Sequence, residues 1–180
     1  MSIENELNSE SSQDLKTNII AVTKTFPISE IKPLIDHGHL HYGENKVQEA
    51  LQKWTGLKKE AKDIKLHMIG KLQTNKVKFV VPLFDYIHSL DNLKLAKKIS
   101  LEQKKINKKL QIFIQVNIGN EDQKNGINQN EVSNFYKICT NDLELNIVGL
   151  MCIPPIKKEK NEYFKLMRDL NKSIGLNQLS

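Results

Sequence analysis

The run NIIAVTKTFP, residues 18–27, carries an apolar stretch straight into Lys24, with Pro27 three residues later. Ile20, Val22 and Lys24 alternate onto one face of a strand, and Ile19, Ala21 and Thr23 onto the other. A lysine at an inward-facing strand end can be desolvated. Burial disfavours the ammonium form and leaves a nucleophilic amine, suited to forming a Schiff base with an aldehyde. The alternative is a lysine that snorkels to water. Because lysine is seldom buried, the residue taken alone favours that alternative.

Other reactive or polar types fall at similar places. Asn45, Asp91 and Asn117 each follow a short apolar or mixed run, as do Gly70 and Met151. Asn45 can face a ligand or cap the following helix. Asn117 can face a ligand or satisfy a turn. Met151 is by type a core filler. His67 reads as a satisfied structural histidine. The LQTNK stretch either binds an anion or starts a helix, and Lys124 reads as an exposed loop lysine near the rim.

The elements that must position these residues alternate. Strand patterns at 18–25, 40–45, 65–70, 85–91, 110–118 and 145–154 are each followed by a helical pattern. Such alternation with short connections predicts a parallel sheet, doubly wound or closed as a β/α barrel. No glycine-rich phosphate fingerprint follows the first strand, which disfavours the dinucleotide fold. In a β/α barrel the C-terminal strand ends form the active-site rim, and that is where Lys24, Asn45, Asn117 and Met151 fall. In the fifth strand Ile112, Ile114, Val116 and Ile118 share one face, and Phe113, Gln115 and Asn117 the other. An apolar face toward outer helices and a partly polar face inward fit a barrel with a binding mouth. The fold expected is therefore a TIM-type (β/α) barrel. It is incomplete, with about six βα units plus the start of a seventh strand, since a full barrel has eight units and about 250 residues.

Composition bounds the function classes. The 180 residues suit one domain, taken as 18–180, behind a polar N-terminal segment, 1–17. Hydrophobic content of 39% against 27% charged fits a globular chain. No apolar run approaches the roughly 20 residues of a membrane span, and the N-terminus lacks a signal-peptide pattern. Two cysteines, Cys139 and Cys152, make neither a disulfide framework nor a zinc site, so a reduced cytoplasm and no metal are expected. Net charge is +6, but Arg168 is the only arginine among 27 basic residues and no aromatic stacking motif accompanies the lysines. Nucleic-acid binding is not expected; the lysine-rich run at 97–109 reads as the wet face of a helix.

In chain order, AVTKT, YGENKVQEA, LHMIGKLQTNK, IHSLDNLKLAKKI, IQVNIGNEDQKNGI and GLMCIPP resemble the pyridoxal-phosphate homeostasis proteins, a single-domain family similar to the N-terminal barrel of alanine racemase. The resemblance runs from about Ile20 to Ser180. It implies a β/α barrel that binds pyridoxal 5'-phosphate through Lys24, with Asn45, Asn117 and Met151 beside the cofactor. It further implies a non-catalytic role in cofactor homeostasis. A racemase-like enzyme is the alternative, although barrel racemases bring a catalytic tyrosine from a second domain. The family continues past this point into GMSxD and RIG segments whose backbone N–H groups and hydroxyls cradle the phosphate. The chain therefore reads as truncated. Weak or absent cofactor binding, open edges at strands one and six, self-association through those edges and the need for a completing partner are the corresponding expectations.

Overall fold

In a computed structural model, which describes residues 17–119, 121, 125–155 and 160–180, the predicted alternation is realised. Strand β1 (Ala21–Val22) leads to helix α1 (Ile28–Asp36), β2 (His41–Glu44) to α2 (Val47–Glu60), and β3 (Lys65–Met68) to α3 (Val77–Leu83). Then come β4 (Tyr86–Leu90), α4 (Leu93–Ile106), β5 (Gln111–Gln115), α5 (Val132–Lys137), β6 (Ile147–Met151), α6 (Lys160–Ser173) and β7 (Gln178–Leu179). The strands pair in chain order, all parallel, from β1 to β7. This is the curled, open sheet of an incomplete TIM-type barrel, and the NQLS segment does form the seventh strand. The expected open edge at the sixth strand is corrected, since Gly149 and Leu150 of β6 pair with Gln178 and Leu179. The edges among the described residues are β1 and β7.

Alternation along each strand sorts the two faces. Tyr42, Leu66, Met68, Ile87, Ile112, Ile114 and Leu150 are fully buried against the helices. Trp54 of α2, also fully buried, packs on Tyr42 with ring centroids 5.0 Å apart. Asn92 caps α4 by accepting the Leu95 N–H at 2.8 Å, and Ile99 and Gln103 of α4 are buried while Lys97, Lys104 and Lys105 face water. The lysine-rich run is thus a solvated helix face, as its spacing predicts. Helix α1 buries less than its pattern suggests: Ile31 is buried, but Ile28 and Leu34 are exposed. The LQTNK stretch starts a helix, a 3-10 turn at Thr74–Lys76 running into α3. Residues 1–16 of the polar N-terminal segment, and Lys124, lie outside the described residues.

Candidate functional site

Three strand ends meet at this part of the rim. Register places Val22 of β1 beside Gly43 of β2, and Gly43 beside His67 of β3. Lys24 and Asn45 each follow two residues further along their strands, so both fall at the C-terminal end of the sheet and on its concave face. Gly70, two residues past β3, lies against Asn45. A Cβ there would run into the Asn45 backbone oxygen, so only glycine lets these strand ends approach.

Lys24 lies in a turn whose Phe26 N–H returns to the Thr23 carbonyl at 3.2 Å. Its side chain is exposed and has no partner among the described residues. The exposure agrees with the snorkelling alternative: β1 is an edge strand and Val22 below Lys24 is itself 47% exposed, so water reaches the amine. Thr25, the next residue, has φ +69°. A β-branched residue is unfavourable in that left-handed region, and such strain persists only where the surroundings over-determine it.

The surroundings do so from the outer face. The Thr25 N–H donates to Glu49 Oε1 at 2.5 Å. Lys53 donates to the Thr23 carbonyl and to Glu44 Oε1, each at 2.8 Å, and to Glu49 Oε1 at 3.0 Å. Glu44 Oε1 also accepts from the Thr23 hydroxyl at 2.8 Å and from Trp54 Nε1 at 2.9 Å. Glu44 is fully buried, and its Oε2 has no partner. The Thr25 N–H first, and Lys53 second, hold the Glu49 carboxyl below its usual pKa. The carboxylates of GENKVQEA are therefore the struts of the Lys24 turn, a role the sequence reading did not assign. The signal was available: Glu44 and Thr23 alternate onto the same outward face, and Glu49 and Lys53 are one helical turn apart.

The remaining candidates are distributed differently. The Asn45 side chain caps nothing: the residue at the N-cap of α2 is Lys46, without a side-chain bond. It makes no hydrogen bond among the described residues. Asn117 is buried, and its amide is spent on its own loop, donating to the Glu121 carbonyl at 2.9 Å and accepting the Glu121 N–H at 3.2 Å. Met151 is buried at the end of β6, paired with Gln115. The rim thus brings Lys24 and Asn45 together as free groups, while Asn117 and Met151 are held in packing and loop structure. Beside the turn an open groove of about 410 Å³ is lined by Phe26, Pro27, Ile28 and Gln52.

Deeper on the concave face runs a file of imidazoles. His41 Nδ1 lies 2.9 Å from His67 Nε2, His67 Nδ1 lies 2.9 Å from His88 Nε2, and His88 Nδ1 lies 2.7 Å from Ser180 Oγ. Tyr86 stacks on His67 at 4.1 Å and Phe113 on His88 at 4.5 Å. Burial, then the neighbouring His88 and His41, push the His67 pKa down to about 2, and burial alone pushes His88 down to about 4. The file is a neutral, self-satisfied interior, consistent with a structural His67. No cluster of the described residues is suited to hold a metal ion.

An open parallel β/α barrel with a free lysine on the concave face at the end of its first strand is the class of protein defined here. The family model described as alanine racemase, N-terminal domain, matches residues 5–174. The pyridoxal phosphate homeostasis protein of Aquifex aeolicus is 34% identical over 159 residues, spanning 87% of this chain and 69% of that protein. Its counterpart in Pasteurella multocida is 37% identical over 136 residues, 76% of this chain and 58% of its own length. The structure of PipY from Synechococcus elongatus with PLP bound superposes with a TM-score of 0.80 at 28% identity, over 99% of this chain and 87% of that one. The chain belongs to the alanine racemase N-terminal domain family and, within it, to the pyridoxal phosphate homeostasis proteins. It spans 69% and 58% of the length of those two relatives.

Proposed function

We propose that this chain binds pyridoxal 5'-phosphate at the strand-end rim, with Lys24 as its covalent anchor, and serves in homeostasis of that cofactor. The carrying observation is the Lys24 amine on the concave face, held by a strained turn, with the Asn45 side chain on the adjoining strand end, neither engaged among the described residues. These residues fit the aldehyde end of the cofactor. Lys24 would hold the cofactor through its amine, and the cofactor would supply an aldehyde for a Schiff-base linkage, made with loss of water and with no oxidant or reductant. Asn45 offers an amide that can donate or accept beside it. Asn117 and Met151 serve as walls in this reading, since Asn117's amide is occupied and Met151 is packed.

The role is read as binding rather than turnover. The relatives matched carry the name of homeostasis proteins, and the tyrosines of this chain are badly placed to face Lys24. Tyr42 is buried on the outer face, where its hydroxyl donates to the His39 carbonyl. Tyr86 opens β4, at the far end of the strand from the rim. Tyr136 and Tyr163 lie on α5 and α6. Among the described residues no helix is long and apolar enough to cross a membrane, and Cys139 and Cys152 are buried free thiols. The reading places the protein in the reducing cytoplasm as a single barrel domain, 18–180.

The test is titration of the full chain with pyridoxal phosphate, followed by borohydride reduction and peptide mapping. A Schiff-base absorbance band and a label on Lys24 are expected. A label spread over surface lysines overturns the assignment.

A further inference from the structure

We infer that Glu49 is a positioning residue for Lys24, acting through the backbone of Thr25; the inference rests on the reading of Lys24 as the cofactor's anchor. The argument starts from the turn. Lys24 and Thr25 are its two central residues, and φ +69° at the second is the conformation for which turns ordinarily recruit glycine. Threonine resists it, so the peptide joining Lys24 to Thr25 needs an external hold. Left alone, the turn relaxes toward negative φ at Thr25, the peptide rotates, and the Lys24 side chain swings off the concave face.

The hold comes from one turn of α2. Glu49 takes the Thr25 N–H at 2.5 Å, and Lys53, bonded to Glu49, takes the Thr23 carbonyl at 2.8 Å. The peptides on both sides of Lys24 are thereby clamped to the same helix. The two contacts divide the labour. Lys53 is buried and tied also to Glu44, so it belongs to the core. Glu49 is partly exposed, with 26% of its side chain accessible, and beyond Lys53 its one bond is to the turn. A partly exposed carboxylate spent on a strained backbone N–H contributes to geometry more than to stability.

Four variants of the full chain separate this from a merely structural role: Glu49→Ala, Glu49→Gln, Thr25→Gly and the double variant Glu49→Ala/Thr25→Gly. Alanine favours the helix, so Glu49→Ala keeps the fold. Two readouts apply: the dissociation constant for pyridoxal phosphate from the absorbance band, and hydrogen exchange at the Thr25 amide. Glu49→Ala is expected to weaken binding about tenfold and to deprotect Thr25, as the loss of one restraint on a strained turn implies. Glu49→Gln, which keeps an acceptor oxygen, stays within about threefold of the parent. The double variant recovers to within about threefold of Thr25→Gly alone, because glycine holds positive φ unaided.

Unchanged affinity in Glu49→Ala, with the label still on Lys24, overturns this inference and leaves the cofactor reading intact. Failure of Thr25→Gly to rescue overturns it too, by showing that Glu49 acts on something other than the turn. A parent chain whose label maps away from Lys24 overturns the cofactor reading and the inference together. Thr25 exchange then still tells whether the clamp exists.

Discussion

Two lysines, one in the turn and one on the helix behind it, have opposite fates. Lys53 lies on the outer face with 7% of its side chain exposed, and its three bonds go to Thr23, Glu44 and Glu49. An ammonium group has three N–H donors, so Lys53 has none left and no free pair with which to attack. Lys24 lies on the concave face, open to water and without a partner among the described residues. The difference teaches how a strand end can be both stiff and reactive. The saturated lysine holds the backbone, and the unsaturated one is carried on it. Burial alone is a poor guide here: the more buried of the two is the less available for chemistry.

The largest effect that sharpens this comparison is a complete one. Lys24→Ala is expected to abolish the reducible pyridoxal-phosphate label while changing unfolding free energy by no more than about 0.5 kcal/mol, the range of ordinary surface substitutions. Peptide mapping and urea denaturation measure the two halves. A Lys24→Ala chain that keeps a stoichiometric label would show the anchor to be elsewhere.

Lys53→Met should do the reverse. It strands the buried Glu44 carboxylate with only the neutral Thr23 and Trp54 donors, and breaking a buried pair from one side costs about 3–5 kcal/mol. Urea denaturation would show the loss directly. Should Lys53→Met prove as stable as the parent, the network would be an ornament on the turn and the contrast between the two lysines would collapse.

The imidazole file extends the same logic to groups that partner one another. His67 and His88 have pKa values of about 2 and about 4, below the 6.5 of a free imidazole, so the unfolded chain binds protons the folded chain refuses. Their contribution is full above about pH 6.5. It declines as pH falls toward about 4 for His88 and onward toward about 2 for His67. Between pH 6.5 and 5 Glu49, held low by the Thr25 N–H and then by Lys53, does not yet respond. A loss of about 2–3 kcal/mol across that window is expected from chemical denaturation. Flat stability there would mean that the imidazoles accept protons in the folded state, and so are not sealed.

Much of this was legible beforehand, and what was not has physical causes. Alternation of apolar strands and amphipathic helices has one low-energy arrangement, so the order of elements and the parallel sheet could be read from pattern. Ile112 and Ile114 facing helices, with Phe113 turned inward, followed from period two. Lys24 as the proposed anchor needed the motif resemblance, because a strand-end lysine by itself reads as snorkelling. Its solvent exposure agrees with that snorkelling pattern, and its cause, the edge position of β1, depends on which strands pair, a property of the whole sheet. The strand-end position of Asn117 could be read from pattern, but its engagement by Glu121 is a local loop closure that no periodicity records. The histidine file was invisible for a similar reason. His41, His67 and His88 are separated by 26 and 21 residues, and only the stagger of three strands brings their rings into line.

The smallest effect is the most discriminating. Asn45 lies one strand over from Lys24, and neither of its amide atoms is engaged among the described residues. Removing an unengaged amide costs the fold nothing, so Asn45→Ala should leave the unfolding free energy within about 0.5 kcal/mol of the parent. If Asn45 contacts the cofactor through one ordinary hydrogen bond, the same change weakens pyridoxal phosphate binding by about 0.5–1.5 kcal/mol, or about two- to tenfold. The two measurements pull the alternatives apart. A residue serving the strand end would lose stability and affinity together, because Gly70 is pressed against its backbone and any shift there moves both strands. A residue serving the ligand loses affinity alone. Asn45→Asp tightens the test, since it keeps size and acceptor but discards the donor and adds charge. Binding that survives Asp but falls with Ala would assign the amide as an acceptor, and binding that falls with both, stability unchanged, as a donor. Stability lost in both would return Asn45 to the side of Lys53, as part of what holds the rim and not of what the rim presents.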